Sequence, residues 1–125
     1  MMDEKVLVVD DAKFARKIAL KALQNGGFDN VIQATTAAEA MEMFENENPD
    51  LVLLDITLPD NSDLTLLERM MQKKPDAKII MTSAIGQELI IDDSLHAGAK
   101  AFITKPYGEK EFLETIFDVL EGRKE

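Results

Sequence analysis

Short apolar runs recur along the chain at intervals of roughly twenty to thirty residues. They are VLVV (6–9), VIQA (31–34), LVLL (51–54), KIIM (78–81) and AFIT (101–104). Runs that are continuously apolar, rather than alternating with polar residues, indicate strands covered on both faces, as in a parallel sheet packed between helices. The pattern therefore predicts five short, buried strands.

The segments between these runs have the spacing of amphipathic helices. In the first, apolar residues recur three and four positions apart, and the NGG at 25–27 supplies a stop. The residues of its predicted apolar face are Phe14, Ala15, Ile18, Ala19, Ala22 and Leu23. The second segment carries Ala37, Met41 and Phe44 on one face.

The remaining three segments also predict helices. The third has Ser62 or Asp63 as its predicted N-cap and ends at Lys74, before a proline. The fourth is apolar at Ile90, Ile91 and Leu95 and is predicted to end at Gly98, and the last spans 109–120 with Phe112, Leu113, Ile116, Phe117 and Leu120 along one stripe. Because strand and helix alternate five times, we expect an α/β fold: one doubly wound domain over residues 1–125, with a five-stranded parallel sheet, helices on both faces and right-handed crossovers.

Composition narrows the functional classes. The chain has 125 residues and 46% apolar residues, enough for one core, and it has no cysteine. It carries 24 acidic against 14 basic residues, a net charge of −10, which would repel nucleic acid. No apolar run is long enough to suggest a membrane span or a signal peptide, so we expect a cytoplasmic protein without a membrane partner.

Polar side chains stand where the predicted strands end. They are Asp10 and Asp11 after the first strand, Asp55 after the third, Thr82 and Ser83 after the fourth, and Lys105 with Pro106 after the fifth. Because the carboxyl ends of parallel strands meet at one edge of such a sheet, these groups are expected to converge there. The predicted site therefore combines carboxylates, a hydroxyl and one ammonium group.

Carboxylates crowded in this way repel one another unless a cation neutralises them. Oxygen ligands without histidine or cysteine suit a hard ion, and a site that also accepts phosphoryl oxygens suits Mg²⁺. Lys105 and Ser83 could hold the other oxygens of a phosphoryl group, and an aspartate can be the nucleophile in its transfer. We therefore assign Asp55 as the nucleophile and Asp10 with Asp11 as the metal-holding pair.

The segments VLVVDD, LVLLDITLPD, IIMTSA and AFITKPY together resemble the receiver domain of bacterial two-component response regulators, over nearly the whole chain. The resemblance implies the flavodoxin-like (βα)5 fold. It also implies that Asp55 is the phosphoacceptor and that Asp11, Asp55 and the backbone carbonyl of Thr57 are Mg²⁺ ligands, with Asp10 acting through a water. Ser83 would be the switch hydroxyl and Lys105 the partner of the phosphoryl group. Phe102 would be the aromatic residue that moves on activation, and the bond before Pro106 would be cis.

The same resemblance implies a signalling role. Its partners would be a sensor histidine kinase or phosphotransfer protein and a downstream target such as the flagellar motor, a phosphatase or a relay protein, bound by the face of the fourth helix, fifth strand and fifth helix. The chain would catalyse only its own phosphorylation and dephosphorylation. Since no effector domain follows Gly122, a single-domain regulator of chemotaxis or of a phosphorelay is implied. Two residues depart from the family: Asp63 replaces a usual glycine, and Phe102 replaces the commoner tyrosine.

Other interpretations remain at this stage. A pseudo-receiver would use the same fold as an interaction module without phosphorylation. A phosphatase of the haloacid dehalogenase type would need a second aspartate where Thr57 stands, and a nucleotide-binding domain would need a glycine-rich loop where DDAKFA stands. Taken singly, Asp11 could be a helix N-cap, Ser83 a strand-end hydroxyl, Lys105 a surface lysine and Phe102 a core residue.

Overall fold

Strands and helices alternate along the chain as the apolar pattern predicts. A computed structural model describes residues 3–60, 64–84 and 86–122. The strands are β1 (Val6–Val9), β2 (Val31–Ala34), β3 (Leu51–Asp55), β4 (Ile79–Ala84) and β5 (Ala101–Lys105). The helices are α1 (Lys13–Asn25), α2 (Ala37–Glu47), α3 (Thr65–Lys73), α4 (Glu88–His96) and α5 (Glu109–Leu120).

The five strands form one parallel sheet in the order β2-β1-β3-β4-β5. The chain adds β2 on one side of β1 and then places β3 on the other side, so the winding direction changes between β1 and β3. The predicted doubly wound α/β fold is confirmed. In such sheets a crevice opens beyond the carboxyl ends of the two strands at this switch point, which here are the ends that carry Asp10 and Asp55.

Two apolar cores cover the faces of the sheet. Helices α2, α3 and α4 pack on one face around Leu54, Phe44 and Met70. Helices α1 and α5 pack on the other around Leu53 and Phe112. Burial of the central strands on both faces explains why their sequences are continuously apolar.

The apolar face predicted for α1 is wider than the part that contacts the sheet. Ala19, Ala22 and Leu23 are buried as predicted. Phe14 and Ile18, however, are 75% and 43% exposed, so their assignment to a buried face is wrong. The fully buried residues of α1 lie in its second half, and the spacing of apolar residues cannot show where burial begins or ends.

Helices α3 and α4 also differ from the prediction. Helix α3 begins at Thr65 with Leu64 in the N-cap position. Ser62 and Asp63, the predicted N-cap candidates, lie outside the described part of the chain. In α4, Ile91 is buried but Leu95 is 37% exposed. Among the described residues, no helix is long and apolar enough to cross a membrane.

Candidate functional site

Three carboxylates meet at the carboxyl edge of the sheet. Asp10 directly follows β1 and is buried, whereas its neighbour Asp11 is exposed. Asp55 is the last residue of β3, and its side chain is 12% exposed. Each residue offers an oxygen atom within 4.8 Å of the others. The structure thus brings together the three acidic residues that the sequence predicts at this edge.

Asp10 is held by the start of α1. Its Oδ1 accepts a hydrogen bond from the backbone N–H of Ala12 at 2.9 Å, and its backbone carbonyl accepts one from Arg16 Nη1 at 2.8 Å. The N-cap position of α1 is Ala12, without a side-chain cap, so the alternative in which Asp11 serves as the N-cap is wrong. Asp11 is therefore free of that structural role.

Lys105, the last residue of β5, lies between two of the carboxylates. Its Nζ is 2.7 Å from Asp10 Oδ2 and 3.5 Å from Asp55 Oδ2. Burial by itself would lower the pKa of Lys105, but the hydrogen bond to Asp10 and the charge of Asp55 outweigh it, so the pKa lies above its usual value. The lysine is therefore a fixed cation at neutral pH rather than a surface residue. The following peptide bond, to Pro106, is cis, as the resemblance implies.

The carboxyl group of Asp55 has a raised pKa. Burial raises its pKa from 3.8 to about 6; the charge of Lys105 opposes this shift, and the charge of Asp10 adds to it. The backbone N–H of Thr57 donates to Asp55 Oδ1 at 3.2 Å. The neighbouring lysine thus neutralises only part of the excess negative charge, and a second cation would further favour the ionised carboxylate.

The donor set fits a hard divalent cation. It consists of carboxylate oxygens from Asp10, Asp11 and Asp55, without histidine or cysteine. Such ligands on one open edge match the preference of Mg²⁺ for few carboxylates and several waters. The carbonyl of Thr57, implied as a further ligand, stays a prediction.

Ser83 and Phe102 occupy contrasting environments. Ser83 is fully buried, and its Oγ has no hydrogen-bond partner among the described residues. A buried hydroxyl without a partner is unfavourable, so this oxygen is available for a bond that forms in another state. Phe102, by contrast, is 43% exposed, so the interpretation of Phe102 as a core residue is wrong.

Two side chains near the site were not predicted. Asp60 accepts hydrogen bonds from the backbone N–H groups of Ala37 and Ala38, at 2.7 and 3.2 Å, which ties the loop after β3 to the start of α2 and lowers the pKa of Asp60. Gln87 bridges the loop after β3 and the end of β4. The only signal for Asp60 is its place in the polar loop after Asp55, and nothing in the local pattern signals Gln87.

Tyr107, the only tyrosine of the chain, reports on the electrostatics of this edge. Its ring stacks on Phe112 at 4.6 Å between centroids. Burial and, secondarily, the negative charge of Asp10 raise its pKa to about 12. We expect the ultraviolet absorbance of tyrosinate to develop about two pH units later in the folded chain than in the urea-unfolded chain. A folded-state midpoint near 10 would contradict this environment.

Comparisons with known proteins agree with this geometry. Residues 6–117 match the family described as the response regulator receiver domain. The chemotaxis protein CheY of Bacillus subtilis (strain 168) is 41% identical over 115 residues, which cover 92% of this chain and 96% of that protein. The chemotaxis protein CheY of Thermotoga maritima is 36% identical over 115 residues, with the same coverage.

Solved structures give the same result. The crystal structure of a response regulator receiver domain protein (CheY-like) from Methanospirillum hungatei JF-1 has a TM-score of 0.88 and 34% identity, and the match covers 95% of this chain and 94% of that one. The fold, with five parallel strands and five helices, accords with the sequence match. The chain therefore belongs to the response regulator receiver domain family.

Proposed function

We propose that Asp55 accepts a phosphoryl group from a phosphohistidine of a partner histidine kinase or phosphotransfer protein, in a Mg²⁺-dependent reaction. One observation carries this proposal: the Asp55 carboxylate lies at the switch point of the sheet, within reach of two further carboxylates and the Lys105 ammonium group. This combination supplies a nucleophile, a place for a hard cation and a fixed positive charge for phosphoryl oxygens.

In the reaction, an oxygen of ionised Asp55 attacks phosphorus, the phosphorus–nitrogen bond of the donor breaks, and the released imidazole takes up a proton. The Thr57 N–H, already 3.2 Å from Asp55 Oδ1, keeps the carboxylate oriented. Lys105 would pair with a phosphoryl oxygen, and Asp11, Asp55 and the carbonyl of Thr57, with Asp10 acting through a water, would hold Mg²⁺. When bound, Mg²⁺ neutralises charge on the donor and acceptor oxygens.

Phosphorylation would then change the partner surface. A phosphoryl group adds about −1.5 to −2 charges at neutral pH. The unpartnered Ser83 hydroxyl would donate to it, the exposed Phe102 ring would move inward, and the face of α4, β5 and α5 would change its affinity for a downstream protein. A coupling of about 1–3 kcal/mol is enough for such a switch.

The cellular role we propose is chemotaxis or phosphorelay signalling in the cytoplasm. The relatives named chemotaxis protein CheY support it, since they match over most of their own length. Residues 1–125 would act as one receiver unit, with a protein such as the flagellar motor, a phosphatase or a relay protein as its target. The net charge of −10 favours a protein partner over nucleic acid.

The test is intact mass spectrometry after incubation with acetyl phosphate, with Mg²⁺ or with EDTA. We expect a single phosphoryl adduct with Mg²⁺ and little or none with EDTA, because the three aspartates otherwise repel the donor. If no adduct forms where a known receiver labels, the chain is a pseudo-receiver that binds partners without phosphorylation. An adduct of equal yield in EDTA would contradict the role of the metal.

A further inference from the structure

The side chain of Gln87 joins two loops at the mouth of the site. Its Oε1 accepts a hydrogen bond from the backbone N–H of Ala84 at 2.7 Å, and its Nε2 donates to Thr57 Oγ1 at 3.1 Å. Ala84 ends β4, and Thr57 stands two residues after Asp55. One amide group thus ties the end of β4 to the loop that follows the proposed phosphoacceptor.

Gln87 stands in the N-cap position of α4 but does not cap it. Its side chain makes no hydrogen bond to the start of the helix, because both polar ends of the amide are used by Ala84 and Thr57. Gly86, just before it, has a φ of +99°, which lets the chain turn back so that the side chain reaches the strand end.

Helix α4 is only weakly anchored to the sheet. Among its described side chains, Ile91 is the single buried apolar one, whereas α2 buries Ala37, Ala40, Met41 and Phe44. Leu89, in the first turn of α4, is 83% exposed. A helix with so few buried side chains can shift at low energetic cost. The hydrogen bonds of Gln87 therefore have more influence on the position of α4 than they would have on a well-packed helix.

The amide that Gln87 holds belongs to the residue next to Ser83. The Ser83 hydroxyl is fully buried without a partner in the described structure, so it must turn or shift before it can bond to a group on Asp55. While the Gln87 side chain links the Ala84 N–H to the Thr57 hydroxyl, a shift of this end of β4 is opposed. The conformation that can assist phosphorylation is then a minor population, and the observed rate falls with its fraction.

We propose that Gln87 is a positioning residue that holds the end of β4 in its unphosphorylated arrangement and thereby slows the phosphorylation of Asp55. This inference rests on the proposed function of Asp55. It predicts that the two hydrogen bonds of the Gln87 amide act as one unit, since either one alone leaves the side chain free to rotate away.

The experiment compares Gln87→Met, which keeps the length of the side chain but removes both hydrogen bonds, with the wild type. We expect the rate of adduct formation from acetyl phosphate in Mg²⁺ to rise about three- to tenfold, the range that follows from losing one or two modest hydrogen bonds. The melting temperature should change little. Gln72→Met, on the exposed surface of α3, is the matched control and should label at the wild-type rate.

A double-mutant cycle with Thr57→Val distinguishes the loss of the Gln87 hydrogen bonds from a general destabilisation of the loops around the site. Each single variant should speed labelling, and the double variant should be no faster than Gln87→Met, because both remove the same bridge. Independent, multiplying effects would overturn the proposal, as would an unchanged or slower rate in Gln87→Met.

Amide hydrogen exchange tests whether the Gln87 hydrogen bonds hold the end of β4, and it does not require phosphorylation. The N–H of Ala84 should exchange about three- to tenfold faster in unphosphorylated Gln87→Met than in the wild type or Gln72→Met. Equal exchange rates of the Ala84 N–H in Gln87→Met and in the wild type would overturn the proposal that Gln87 holds the end of β4. If the wild type formed no adduct at all, the proposed function and the kinetic effect would both fail, while this exchange rate would still decide whether Gln87 holds the strand end.

Discussion

The Asp55→Asn variant should fold like the wild type and form less than about 1% of its Mg²⁺-dependent phosphoryl adduct, as expected when the attacking nucleophile of a reaction is removed. An amide oxygen cannot form the acyl phosphate, whereas it can still accept the hydrogen bond from the Thr57 N–H. The loss should therefore reflect chemistry and not folding. Intact mass and peptide mapping after acetyl phosphate treatment measure it.

A matched control makes this result specific. Asp29 is an exposed aspartate between α1 and β2, so Asp29→Asn removes the same charge far from the site and should label normally. Full labelling of Asp55→Asn would mean that another group accepts the phosphoryl, with Asp10, Asp11 and His96 as the candidates to map. It would overturn the central assignment even though the receiver fold would stand.

Much of the fold could be predicted because each central strand is buried on both faces. A strand such as 51–54 must then be continuously apolar, and that property is local. The extent of a helix–sheet contact is not local. Phe14 and Ile18 continue the apolar spacing of α1 but are exposed, and Leu95 is exposed in the same way in α4. Spacing alone cannot distinguish such residues from buried ones.

The members of the site were predictable for a similar reason, since the ends of parallel strands meet at one edge. Their pairings were not. Lys105 contacts Asp10 at 2.7 Å and Asp55 at 3.5 Å, and nothing in the local sequence indicates which carboxylate the lysine meets more closely. The bridges of Asp60 and Gln87 join residues 23 and 30 positions apart. Such contacts depend on how the loops pack against one another in the folded chain, and no local sequence pattern predicts that packing.

The second large effect concerns stability: in metal-free buffer at pH 8, Asp55→Asn should be more stable than the wild type. The raised pKa of Asp55 means that the folded chain disfavours the ionised carboxylate, chiefly through burial. One pKa unit corresponds to about 1.4 kcal/mol, so a shift from 3.8 to about 6 corresponds to about 3 kcal/mol at high pH. We expect the melting temperature of the variant to be about 10 °C higher.

The sign of the pH dependence follows from the same shift. Because the folded-state pKa lies above the unfolded value of 3.8, the stability associated with protonated Asp55 is fully present below about pH 4 and is lost as pH rises through about 6. The difference between Asp55→Asn and the wild type should therefore be largest at pH 8 and shrink towards pH 5. Asp29→Asn, at an exposed position away from the carboxyl edge of the sheet, is the charge-matched control for this comparison.

Added Mg²⁺ provides the deciding comparison. A cation held by Asp10, Asp11 and Asp55 stabilises the folded state in proportion to the logarithm of its concentration above the dissociation constant. Thermal unfolding followed by circular dichroism at pH 8 should show a rising wild-type melting temperature with Mg²⁺ and a smaller response of Asp55→Asn, so that the gap closes. A variant less stable than the wild type in EDTA would show that the Lys105–Asp55 attraction outweighs burial. In that case Asp55 would stabilise the metal-free fold, and the burial of this carboxylate would not lower the free energy of unfolding.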